Sequence, residues 1–160
     1  MEQIIFGAGC FWGVQYYFDQ VPGVVSTEVG YSGGMTENPT YEQVCTHATG
    51  HAEVVLVEYD ASKVSTETLL RQFFRMHDPT TLNRQGPDVG DNYRSVIFCV
   101  TDEQKEIAET VLADIQPKFK DPIVTQIELA GPFYRAEEYH QKFTEKTGRG
   151  MCHVPYAPVD

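Results

Sequence analysis

What the chain has little of narrows its chemistry before any motif is read. No stretch approaches the roughly 18 consecutive apolar residues of a membrane-spanning helix. No charged-then-apolar segment leads the chain either, so the expected setting is the cytosol. Basic residues are scarce: 12 Lys and Arg stand against 23 Asp and Glu, a formal net charge of −11. Nucleic-acid binding needs clustered cations to neutralise phosphates, so it is disfavoured, as is adhesion to an anionic membrane surface. The 4 cysteines, Cys10, Cys45, Cys99 and Cys152, include no C-x-x-C pair, which excludes a thioredoxin-type dithiol. They are also too few and too scattered for a disulfide framework in 160 residues. Tryptophan occurs 1 time, at Trp12. There is no internal repeat and no low-complexity tract, and the length suits one domain with its own core, residues 1–160.

Apolar patterning gives a coarse order of elements. Ile4 to Phe6, Val24 to Tyr31, Ala52 to Tyr59, Tyr93 to Val100 and Ile123 to Leu129 read as strands. Tyr41 to Cys45 reads as a further short strand or turn. Helices are predicted over Val14 to Asp19, after a Ser65 cap with Leu69, Leu70, Phe73, Phe74 and Met76 inward, and from Thr101-Asp102 with Ile107, Ala108, Val111, Leu112 and Ile115 on one face. Ala136 to Lys146 is expected to be a polar surface helix, Thr80 to Asn92 a long polar loop, and residues 147–160 an irregular tail. Interleaved strands and helices without a compositional break predict an α+β fold: a two-layer sandwich, a mixed sheet with helices packed against it, ferredoxin-like.

Against that background Gly7-Ala8-Gly9-Cys10-Phe11-Trp12-Gly13 stands out. It places a cysteine where a strand ends and a helix begins. Unsatisfied backbone N–H groups and the positive end of the helix macrodipole there favour a thiolate. Phe11 and Trp12 add aromatic surface beside the sulfur. The same spacing equally suits a buried cysteine in a glycine-rich turn. Glu53 opens an apolar run. If buried, it would be driven toward its protonated form and could donate a proton to an oxygen gaining charge; an exposed strand end is the alternative. Tyr31, Tyr41 and Tyr93 border loops, where a hydroxyl can reach a ligand or simply stay wet. Asp88 and Asp91 lack a calcium-loop pattern and read as turn chemistry. Cys45, His47 and His51 lack a fourth ligand and a recognised spacing, so no metal site is expected. Cys45 and Cys99 read as inert core residues. Cys152 lies in a tail able to swing toward Cys10.

Gly9-Cys10-Phe11-Trp12-Gly13, Gly30-Tyr31-Ser32-Gly33-Gly34, Asn38-Pro39-Thr40-Tyr41, Thr49-Gly50-His51-Ala52-Glu53-Val54, His77-Asp78-Pro79-Thr80 and Tyr93-Arg94-Ser95 occur in this order. Phe133-Tyr134, Ala136-Glu137-Glu138 and His140-Gln141 follow. Together they resemble the A-type peptide methionine sulfoxide reductases along nearly the whole chain. The resemblance implies thiol-dependent reduction of the S epimer of methionine sulfoxide, free or in proteins, without a cofactor. Cys10 would be the nucleophile, Glu53 the proton donor, and Tyr41 and Tyr93 hydrogen-bond donors to the sulfoxide oxygen. Phe11 and Trp12 would hold the methyl group, with Asp88 and Tyr134 at substrate-binding positions. Cys10 would become a sulfenic acid, Cys152 would condense with it to a disulfide, and thioredoxin would reduce that disulfide. The tail departs from the usual pattern: Gly150-Met151-Cys152-His153 stands where many relatives have Gly-Tyr-Cys-Gly. A cysteine hydrolase activated by His47, His51 or His140, a peroxide-reducing thiol enzyme, and a binding module for oxidised or apolar peptides are the competing classes.

Overall fold

The structure, a computed structural model, describes residues 1–149. Cys152 and the expected role for it lie outside the described residues. Strand β1 (Glu2–Ala8) leads through Gly9 and Cys10 into helix α1 (Phe11–Asp19), and strand β2 (Val24–Ser32) follows. Helix α2 (Tyr41–Cys45) precedes strand β3 (Ala52–Tyr59), and helix α3 (Thr66–Arg75) packs beyond it. A two-stranded hairpin, β4 (Arg84–Gln85) and β5 (Asp88–Val89), leads through a 3-10 turn at Asp91–Tyr93 to β6 (Ser95–Cys99). Helix α4 (Asp102–Ile115), strands β7 (Gln126–Leu129) and β8 (Phe133–Arg135), and helix α5 (Phe143–Thr147) complete the described chain.

The main sheet has 6 strands in the order β7-β6-β1-β3-β2-β8. Its four central strands alternate with α1 and α3 as β-α-β-β-α-β, and every neighbouring pair among them is antiparallel. Two edge additions go beyond a plain ferredoxin-like expectation: β7 runs parallel to β6, and β8 pairs with β2. The sheet is therefore mixed, with helices against one face. Ile4, Phe6, Val55, Val57, Tyr59 and Ile97 point to that face and meet Phe18 of α1, Leu69, Leu70 and Phe73 of α3, and Ala108 and Val111 of α4. Phe6 stacks between Phe18 and Phe73, with ring centroids 4.9 and 5.0 Å away. Each such fully buried side chain contributes roughly 1.5–3 kcal/mol, enough in sum to fix strand register in the middle of the sheet.

The helix starts follow local chemistry. Ser65 and Thr101 each accept a hydrogen bond from a backbone N–H in the first turn of α3 and α4. Tyr41 to Cys45 is helical rather than extended: Thr40 and Gln43 form a reciprocal capping box, which nucleates a turn where the apolar pattern alone suggests a strand. The expected loop from Thr80 to Asn92 contains the β4–β5 hairpin, because Gln85 Nε2 ties the loop back to the Asp78 carbonyl oxygen. The expected surface helix over Ala136 to Lys146 is also corrected. Gln141 uses both ends of its amide on the Val29 backbone, extending the edge of β2 where a helical residue could not reach. Lys142, at φ 57°, gives its N–H to Gln15 and its ammonium to Asp19, which breaks the segment into a 3-10 turn and then α5. No helix among the described residues is long and apolar enough to cross a membrane.

Candidate active site

The site is assembled where β1 passes into α1. Gly9 takes φ 98°, a left-handed conformation that a side chain would strain, and this turn sets Cys10 at the N-cap of α1. Cys10 is 8% exposed. The next residue, Phe11, donates its backbone N–H to Glu53 Oε1 at 3.3 Å. Glu53 comes from β3, and the residue is 1% exposed. It is no exposed strand end. Asn92 donates from its side-chain amide to Glu53 Oε2, also at 3.3 Å. A carboxyl group thus lies one residue from a cysteine, against the positive end of a helix.

Tyrosines lie within electrostatic reach of that carboxyl. Register pairs Tyr31 with Glu53 across β2 and β3, and Tyr31 with Tyr134 across β2 and β8. Directly opposed residues share a face, so Glu53, Tyr31 and Tyr134 form one row across the sheet. Tyr134 is half-buried, with its ring edge-on to His51 at 5.6 Å. Tyr41 and Tyr93 are half-buried, and burial first, then the Glu53 carboxylate, pushes both phenols above the ordinary tyrosine value. Both remain hydrogen-bond donors throughout the working pH range. Asp88 adds a smaller charge effect on Tyr93, and the buried atoms Asp88 Oδ2 and Asn92 Oδ1 have no hydrogen-bond partner.

Cys45 differs from its expected role as an inert core residue on a strand. It lies on α2, half-buried, one turn from Tyr41 and within hydrogen-bonding reach of that hydroxyl; burial raises its thiol pKa. Cys99 is fully buried and its thiol is pushed up to about 11 by burial, as suits packing.

Phe11 and Trp12 are the aromatic side of the site. Phe11 is 1% exposed, with Tyr31, Tyr41 and His140 around its ring. Trp12 is half-buried and stacks on Phe143 at 4.0 Å, while its indole N–H donates to His140 Nδ1 at 2.8 Å. One carboxylate braces the tyrosines beside this wall. Glu137 accepts from the Tyr31 hydroxyl through Oε1 and from the Tyr41 N–H through Oε2. Burial alone would raise the Glu137 pKa, yet donors from Tyr41, its own backbone and Tyr31 hold it below the ordinary glutamate value.

The histidines are committed elsewhere. His51 Nδ1 accepts from the Gly34 N–H, and Nε2 meets the Thr36 carbonyl oxygen. His140 Nδ1 accepts from Trp12. His47 pairs with Asp91 at 3.6 Å. In His51 and His140 the basic nitrogen already receives a proton donor, which removes the feature a cysteine hydrolase would need from either ring. No cluster of three metal-ligating side chains occurs among the described residues.

Comparison with known proteins decides the family. The family model for peptide methionine sulfoxide reductase matches residues 2–160. The chain belongs to that family. A curated relative named peptide methionine sulfoxide reductase MsrA, from Methanoculleus marisnigri, is 57% identical over 154 residues, covering 95% of this chain and 94% of its own length. Among solved structures, reduced Mxr1 from Saccharomyces cerevisiae has a TM-score of 0.89 at 37% identity and covers 93% of this chain and 87% of its own. Mxr1 in complex with Trx2 matches with a TM-score of 0.65 at 28% identity, over 87% of this chain and 83% of its own.

As a peptide methionine sulfoxide reductase, the chain is an enzyme whose chemistry is reduction of methionine sulfoxide. The structure brings Cys10, Glu53, Tyr41, Tyr93, Phe11 and Trp12 into one neighbourhood, with Tyr134 on the Glu53 row and Asp88 beside Tyr93. Sequence reasoning gives no site role to Asn92, Glu137 or Cys45, and weighs His140 only as a base. Glu137 and His140 lie within the motifs that carry the family resemblance, but a helical reading of that segment turns them toward solvent. Asn92 carries no periodic signal at all; its burial follows from the hairpin that returns it to Glu53.

Proposed function

We propose that the enzyme reduces the S epimer of methionine sulfoxide, free or within proteins, through a sulfenic acid on Cys10. The observation that carries this reading is the hydrogen bond from the N–H of Phe11 to Glu53. It puts a buried carboxyl group beside the cysteine at the helix N-terminus. Sulfoxide oxygen is a poor leaving group until protonated, so a thiol without an adjacent acid would stall. Glu53 supplies that proton while Cys10 attacks sulfur. Tyr41 and Tyr93 donate to the oxygen as its charge grows. Phe11 and Trp12 hold the methyl group, and Asp88 and Tyr134 line the rest of the substrate site. Methionine leaves, and Cys10 carries the oxygen as sulfenic acid.

Cys152 then attacks that sulfenic sulfur, releasing water and forming a disulfide, which thioredoxin reduces by thiol–disulfide exchange. The thioredoxin assignment is supported by the Mxr1 complex with Trx2 among the structural neighbours. A thiol cycle of this kind suits the reducing cytosol.

Reductant-dependent turnover of the two separated sulfoxide epimers by the purified full chain tests the reading. Wild type consumes the S epimer and Cys10→Ser consumes neither. Equal use of both epimers, or turnover by Cys10→Ser, would overturn it. Mass spectrometry after one turnover without reductant is expected to show a Cys10–Cys152 disulfide; a persistent sulfenic acid would remove Cys152 from the cycle.

A further inference from the structure

We propose that His140 is a positioning residue for the substrate pocket, acting through Trp12. The inference rests on the assignment of Trp12 to the methyl-binding wall.

The indole of Trp12 is fixed from two sides. Phe143 stacks on it at 4.0 Å, and His140 receives its N–H at 2.8 Å. Phe143 resists motion perpendicular to the ring, but a stacked ring slides in its own plane at little cost. The hydrogen bond is directional and stops that slide. A methyl group held against an aromatic face is sensitive to such a displacement, because dispersion contacts fall off within an ångström. The hydrogen bond therefore sets where the wall stands relative to Cys10, two residues before Trp12 in the chain.

His140 is built to act only as an acceptor toward the indole. Its Nδ1 receives a proton donor, so the neutral ring carries its proton on Nε2. That Nε2 is buried without a hydrogen-bond partner, and Glu137 Oε1 stands 3.9 Å away, beyond hydrogen-bond range. A histidine conserving only its own packing would place this proton on the nearby carboxylate. Here the ring satisfies Trp12 instead and leaves its second nitrogen orphaned. The ring also lies against two further aromatic side chains of the site, Phe11 at 5.2 Å and Tyr41 at 4.5 Å between centroids. Gln141 and Lys142, next in the chain, anchor the segment to β2 and α1, so the acceptor is presented from a fixed backbone.

Two polar substitutions separate position from polarity. In His140→Asn the side-chain oxygen falls where Nδ1 stands and can accept from Trp12. In His140→Gln it falls nearer Nε2 and cannot. His140→Gln is expected to raise KM for methionine S-sulfoxide about tenfold with kcat within about threefold, the signature of lost binding shared by ground and transition states. His140→Asn is expected to stay near wild type in both. Because Trp12 is the single tryptophan, its fluorescence reads the indole directly. The emission of His140→Asn should match wild type and that of His140→Gln should shift, which a general loss of packing would not separate. In a Trp12→Phe background the Gln substitution should add nothing further, since its effect passes through the indole. Equal KM values for the Asn and Gln variants, or a Gln penalty that persists undiminished with Phe at position 12, would overturn the inference. Trp12→Phe with an unaltered KM would overturn both this inference and the methyl-wall assignment, whereas an impaired Trp12→Phe beside an unaffected His140→Gln would overturn this inference alone.

Discussion

At Glu53 the proposed acid role depends on one proton. Glu53→Gln keeps an oxygen able to accept from the Phe11 N–H and adds an amide donor, but it has no proton to transfer. The substitution is expected to slow the first turnover by about 10²-fold or more, the usual size of a general-acid contribution. Rapid-quench measurement of methionine formed per enzyme checks this, and a loss within threefold would remove Glu53 as the acid. His140 gives a second, thermodynamic prediction. Burial pushes its imidazole below the ordinary histidine value, and the charge of Glu137 opposes this only in part. The unfolded chain, with a histidine pKa of about 6.5, therefore takes up a proton that the folded ring resists. Stability from this residue is full above about pH 6.5 and is lost as pH falls below it toward the folded value. Thermal unfolding across that window should show wild type losing Tm as pH drops and His140→Asn losing less.

Among the elements, α1 and α4 begin by different devices and should respond differently. Thr101→Ala removes a side-chain cap from α4 and is expected to cost about 1 kcal/mol of stability. Activity should be unchanged, since α4 packs beneath α3 and β7 rather than at the site. Gly9→Ala acts on the turn before α1, where φ is 98°. Strain of about 1–2 kcal/mol is expected there, together with a fall in reduction rate, because the turn aims Cys10. Measuring Tm and rate for both variants separates the two cases. The same contrast explains what could be read in advance. Ala52 to Tyr59 and the Ser65 and Thr101 caps were legible because continuous apolar runs and capping residues act locally. The segment from Ala136 to Lys146 was not, because Gln141 and Lys142 take their partners from β2 and α1, over 100 residues away in the chain. Cys10, Glu53 and the tyrosines were legible as residue types bordering turns, whereas Asn92 and Glu137 acquire roles only once the hairpin and β8 bring them to Glu53 and Tyr31.

On the scale of the whole molecule, the site is closed by bonds between distant parts of the chain. Phe11 and Glu53 are 42 residues apart, and Trp12 and His140 are 128 apart. Contacts at such separation form late, after the loop entropy between them has been overcome. In refolding from denaturant, regain of native Trp12 emission and regain of sulfoxide reduction are expected to share one rate; activity preceding the emission change would break that link. For the chain during its synthesis, the consequence is one of timing. Translation runs from the N-terminus, so Cys10 and Glu53 are made before the segment that locks the indole, which follows Trp12 by 128 residues. The growing chain therefore carries Cys10 ahead of the pocket that surrounds it, and the indole is locked only once that later segment has been made.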